Sequence, residues 1–195
     1  MTCLGQQFLP DDVVRALPFR TLGRDVLIHA RANIIDIENC SVGDHVRIDA
    51  DVTILATGHV TIGSQVHIGA QCYLAGGAGI ALEDFAGLSQ GVKIYSTSDD
   101  YSGRHLTNPT VPLAYLGVVR GSVRVGRHGI IGAGTVILPG ISVAEGCAVG
   151  ALSLVRRSTE PWGIYAGAPA RRVAERSREL LLLEAALREQ QGASA

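Results

Sequence analysis

The chain has 195 residues, of which 47% are hydrophobic and 18% charged, a balance that describes one ordinary globular domain and excludes disorder over most of its length. Its 17 Lys and Arg stand against 18 Asp and Glu, a formal net charge of -1. No basic surplus is left to offset a phosphate backbone, so nucleic acid is excluded as a general partner. No run of about 18 apolar residues predicts a membrane span, and four cysteines without a CxxC pair (Cys3, Cys40, Cys72, Cys147) point to a reduced, cytoplasmic protein.

Residues 1–21 form a lead-in without periodicity. From there every sixth residue is aliphatic: Leu22, Ile28 and Ile34, then Val42, Ile48 and Ile54, then Ile62, Ile68 and Leu74, then Leu82, Leu88 and Ile94. Glycine often follows the aliphatic residue, as at Gly43, Gly63 and Gly69, which helps explain a content of 24 glycines. A period of six fits neither a helix nor a long alternating strand. It predicts a short strand and a turn per hexad, with three hexads closing one triangular coil and the ladder stacked inside a parallel β-solenoid.

Between Ile94 and Val125 the period stops, and the polar, tyrosine-bearing segment 95–124 reads as a long inserted loop of the kind that carries function. The ladder then resumes at Val125, Ile131 and Ile137, and at Val143, Val149 and Val155. The solenoid domain is expected over 22–168. Pro169 marks the first turn of a helix over 169–191, in which Leu180, Leu183, Ala186 and Leu187 repeat at helical spacing. That helix is expected to cap the open end of the solenoid or to pack on a neighbour, with 192–195 frayed.

The hexads, the interrupting loop, the run VGRHGIIGAGTVILPGISVAEGCAVGALSLV and the closing AGAPARR together resemble the hexapeptide-repeat acyltransferases, in particular their sugar O- and N-acetyltransferase branch, which includes galactoside acetyltransferases. The resemblance spans about residues 22 to 173. It implies an all-β fold, a left-handed parallel β-helix with a long inserted loop and a C-terminal α-helix, assembled as a homotrimer with sites between subunits. It also implies acetyl-CoA as co-substrate with no metal, and a sugar or nucleotide-sugar acceptor. In similar enzymes the pantetheine arm lies along the C-terminal coils, against small residues that here are Ala133 and Ala151. Arg156, Arg157 and Arg171 stand where relatives place cations near the CoA phosphates, and a fork-shaped guanidinium suits that task.

Acyl transfer from a thioester needs a group that takes the acceptor's proton. Galactoside-type relatives supply a histidine from the loop, but Asp99 stands at that position, and Thr97-Ser98-Asp99 is closer to the Thr-Asn-Asp of sugar N-acetyltransferases. Asp99 is therefore the expected base or ammonium anchor, which favours an amino acceptor over a hydroxyl. Ser98, Asp100, Tyr101 and Asn108 are expected to shape the acceptor pocket. His105, in the same loop, and His67, facing outward from a prism face, are the alternative bases. Two further classes stay open at this point: a metalloenzyme resembling γ-class carbonic anhydrases, and a non-catalytic solenoid scaffold.

Overall fold

In a computed structural model, which describes residues 7–193, three parallel sheets form the faces of a triangular prism. The first face carries the row Leu22, Val42, Ile62, Leu82, Val125 and Val143 in register. The second carries Ile28, Ile48, Ile68, Leu88, Ile131 and Val149. The third carries Ile34, Ile54, Leu74, Ile94, Ile137 and Val155. All are buried except Leu22 and Ile34, which belong to the first coil and are covered from one side only. The fold class is the one expected from the hexads.

Two positions before each ladder residue lies a second inward row, and three cysteines belong to it. Cys40, Cys72 and Cys147 are buried free thiols that fill space beside valines of the same rows. Burial pushes the Cys40 and Cys72 thiols up to about 11, so they stay protonated and inert. Cys3 lies outside the described residues. In the last coils the same row turns polar without cost, because Thr135 and Ser153 both donate to the Gly150 carbonyl, at 3.0 and 2.7 Å.

The loop is shorter than its sequence limits suggest. Thr97–Ser98 pairs antiparallel with Val119–Arg120, so both ends of the 95–124 segment are strand and only its middle projects. The lead-in also holds a helix, α1 (Asp11–Ala16), whose Val14 closes the N-terminal end of the core. Asp11 and Asp12 sit in its first turn, where the helix dipole favours carboxylates.

The expected helix over 169–191 is corrected. Residues Arg171–Glu175 form an edge strand antiparallel to Gly163–Ala166, which itself adds to the second face, and this hairpin covers the C-terminal end. Four of its five residues pair with that open edge, Val173 standing at a bulge between them, and a helix would have denied the edge those partners. The C-terminal helix, α2, runs only over Leu180–Ala193. It includes two residues expected to fray, while 194–195 lie outside the described residues.

Nor does α2 cap an end. It lies against the corner between the first and second faces, held by one buried carboxylate, Glu184, while Leu182 and Leu183 are about three-quarters exposed. Glu184 meets Arg127, His128 (2.7 Å) and Arg188 (2.6 Å), and His128 stacks on Phe85 with ring centroids 5.0 Å apart. Burial, reinforced by Arg127, Arg176 and Arg188, holds the His128 imidazole below its ordinary range against the opposing pull of Glu145. The neutral ring therefore donates its Nε2 proton to a carboxylate already shared by two guanidiniums.

A histidine whose pKa is lowered by folding binds its proton in the unfolded chain first, so the stability present above about pH 6.5 is lost as pH falls towards the folded value. The protection of the α2 amides, taken relative to the intrinsic exchange rate at each pH, is expected to fall between pH 7.5 and 5.5 while that of the ladder amides holds. Protection of α2 that does not change across that range would show the imidazole to be charged when docked.

Candidate active site

A cleft of about 900 Å³ lies on the outer side of the third face, where the loop leaves the prism. Its floor is made by the outward neighbours of the ladder, Val136, Leu138 and Leu154, with Pro139 beside them. Its wall is the first stretch of the loop, Thr97 to Ser102, with Tyr95 at one end and Arg156 at the other. The antiparallel pairing of Thr97–Ser98 with Val119–Arg120 anchors that wall. An extended strand pair fixes where the next two carboxylates emerge.

Those two carboxylates differ in freedom. Asp100 accepts from the Ser102 amide (2.7 Å), the Ser102 hydroxyl (2.8 Å) and the His105 ring (2.7 Å). The Ser102 hydroxyl first, then His105, holds its carboxyl well below the usual carboxylate range, so it stays ionised and serves the shape of the loop. The carboxylate of Asp99, exposed at the rim, has a single hydrogen bond among the described residues, from the Asn108 amide to Oδ2 at 3.3 Å. Its carboxylate is the one available to a ligand's ammonium.

Of the residues expected to form the site, Ser98, Asp99, Asp100, Tyr101 and Arg156 come together in this cleft. Asn108 supports it through its backbone, while its side chain turns to Thr110. His105 is spent on Asp100 and lines a separate hollow with Leu106 and Tyr115. His67 stands on the second face, half exposed, with Nε2 2.8 Å from Asp49, which also holds Arg47 at 2.7 Å. Ala133 and Ala151 lie at the corner between the second and third faces, linked coil to coil by the Leu152 amide on the Ala133 carbonyl (2.8 Å). Arg157 is exposed beyond the last ladder residue, and Arg171 is exposed on the edge strand with one contact to the Ala170 carbonyl.

Trp162 and Tyr165 pack the tail onto the last coil. The indole lies over Gly146, where an added Cβ would sit 2.4 Å from the ring, and the Tyr165 hydroxyl accepts from the Glu160 amide. The apolar floor was missed by reading inward positions only. Its signal was present, since the outward neighbours Val136, Leu138 and Leu154 are aliphatic where the first face carries Ser41, Thr61 and Ser142. Among the described residues no group of three or more His, Cys, Asp and Glu side chains could hold a metal ion, and no helix is long and apolar enough to cross a membrane.

The chain matches no established family profile. It is 35% identical to the dTDP-4-amino-4,6-dideoxy-D-glucose acyltransferase of Escherichia coli over 179 residues, 91% of this chain and 93% of that one. The crystal structure of AntD, an N-acyltransferase from Bacillus cereus in complex with dTDP and 3-hydroxybutyryl-CoA, superposes with a TM-score of 0.92 at 38% identity, covering 95% of this chain and 98% of that one. Structures of AntD in which a serine, or an aspartate ten residues further on, has been replaced superpose equally well, with TM-scores of 0.92 and 0.91. A maltose O-acetyltransferase from Clostridium difficile shares the fold at 20% identity and a TM-score of 0.58, over 86% of this chain and 75% of that one. With the coils, the loop and the cleft in place and similarity extending over nine-tenths of the E. coli relative, the chain is an enzyme that belongs to the hexapeptide-repeat acyltransferases, in their sugar acyltransferase branch.

Proposed function

We propose that the enzyme transfers an acyl group, acetyl in the simplest case, from acyl-CoA to the amino group of a nucleotide-linked amino sugar. The observation that carries this reading is the pair of carboxylates, with Asp100 tied down and Asp99 free above an apolar floor. A sugar ammonium bound at Asp99 gives up its proton to that carboxylate or to water. The amine then attacks the thioester carbonyl, the tetrahedral intermediate collapses, and CoA leaves as thiolate and collects a proton, leaving an amide. The deoxy positions of a dideoxy sugar suit a floor of Val136, Leu138 and Leu154. The relatives support the acceptor class, since both act in connection with dTDP or a dTDP-amino sugar. Acyl-CoA with dTDP-4-amino-4,6-dideoxyglucose is expected to release thiol and yield the amide by mass. Release only with hydroxyl acceptors would overturn the amine reading.

The pantetheine arm is assigned to the corner at Ala133 and Ala151, with Arg156, Arg157 and Arg171 towards the CoA phosphates. A phosphate contact remote from the thioester contributes binding that is equal in ground and transition states. Arg171→Ala is therefore expected to raise the KM for acyl-CoA several-fold at unchanged kcat and acceptor KM. An unmoved donor KM would reduce Arg171 to surface charge.

The site is assigned to a boundary between subunits of a homotrimer. Ser89 and Asp99 have the same ten-residue spacing as the serine and aspartate replaced in AntD. They flank strand Lys93–Tyr95 on opposite edges of the third face, and the cleft that includes Asp99 does not include Ser89. For both to meet one substrate, the loop of one chain must face the corner of another. The exposed Tyr101, Leu106, Leu113 and Tyr115 of the loop suit that contact. Light scattering is expected to give three times the chain mass, and an active monomer would reject the assembly.

A further inference from the structure

The chain contains a single lysine, Lys93, against sixteen arginines. It stands on the outer side of the third face in the coil just before the loop, paired in register with Tyr73, while Tyr95 two residues on points the same way. The Tyr73 and Tyr95 rings lie 5.9 Å apart at 45°, and Tyr95 also lines the cleft that holds Asp99. Among the described residues Lys93 is the one charged group in the outward rows of this face before the loop, and no carboxylate pairs with it. Its Nζ reaches only the Gly91 carbonyl, at 3.5 Å. Arginines on the first two coils are occupied, Arg24 by Asp44, Arg31 by Asp51 and Arg47 by Asp49.

We propose that Lys93, with Tyr73 and Tyr95, forms the subsite that takes the diphosphate and base of the nucleotide-linked acceptor. The proposal rests on the acceptor reading above. Donor and acceptor must meet at Asp99, and the donor groove occupies the coils after the loop, at Ala133, Ala151 and Arg156. The remainder of the acceptor then extends over the coils before the loop, which is the Tyr95–Lys93–Tyr73 surface. Its two phosphate charges call for an unpaired cation, and its base for an aromatic ring on which to stack. Asp99 lies six positions after Lys93, at most about 20 Å of extended chain, a span that a sugar nucleotide can bridge.

A lone lysine makes the test direct. The protein is treated with an N-hydroxysuccinimide acetate, with and without dTDP, and acetylation at Lys93 is followed by peptide mass against the chain's α-amine as internal control. Saturating dTDP is expected to slow Lys93 labelling about tenfold or more and to leave the α-amine unaffected. Lys93→Met is expected to weaken dTDP binding at least tenfold, measured by calorimetry, while thymidine and CoA bind as before. If dTDP binds but Lys93 labels at its free rate, or if K93M keeps wild-type affinity for dTDP, the subsite is overturned and the acceptor reading stands. If the wild type binds CoA but not dTDP, both are overturned.

Discussion

Replacing Asp99 by Asn should leave the prism folded and lower kcat/KM towards an amino-sugar acceptor by roughly 10²–10⁴, the range of positioned acid–base groups. Asp99 is exposed and has one backbone partner, so little of the fold depends on its charge. The amide keeps the shape and loses both the negative charge that draws in an ammonium and the site that accepts its proton. If water shares the second role, the loss falls at the lower end. His105→Ala should cost far less, acting only through Asp100, whose Ser102 contacts persist. The reverse ranking, with His105→Ala abolishing turnover and Asp99→Asn nearly silent, would make the histidine the base and the acceptor a hydroxyl.

The second large effect separates two neighbouring isoleucines. Ile131→Ala removes a fully buried ladder side chain between Leu88 and Val149 and should cost about 2–5 kcal/mol, because coils above and below are fixed by their own hydrogen bonds and cannot close the void. Ile130→Ala, one residue earlier in the same strand and 45% exposed, should cost well under half as much. Denaturant titration of the two variants gives the comparison. Equal losses would mean that the outward face of this strand is as tightly covered as the inward one.

The ladder was legible in the sequence because each rung is chosen by its place in the coil alone. An inward position must be aliphatic whichever coil lies next to it, so sixfold spacing carries the whole prism. The loop was legible as the break in that spacing, and with it Ser98, Asp99, Asp100 and Tyr101. What stayed hidden depends on partners far along the chain. Glu184 looks like the solvated side of an amphipathic helix until Arg127 and His128, more than fifty residues earlier, are brought to it. Arg171–Glu175 has the composition of a helical start after Pro169, and only the open edge at Gly163–Ala166 makes it a strand. His105 shares a loop with Asp99 but faces Asp100, a choice made by turn geometry at Ser102 that spacing does not encode. The second half of the site is hidden for a different reason, since the reading of Ser89 with Asp99 assigns it to another chain.

The course of α2 bears on how the molecule comes apart. A stack in which each layer touches only the next is a linear array, free to unzip from its last layer inward in small steps. Here the final element returns along one corner and ties Arg188 to Phe85 of the fourth coil and Glu184 to His128 of the fifth, so the terminal layers cannot peel away without also releasing a strut fastened further up. Nearest-neighbour coupling is thereby supplemented by a longer-range tie, and melting of the second half should occur as one sharp event. Deleting 180–195 should broaden that event or split it in two, with the coils after the loop opening first.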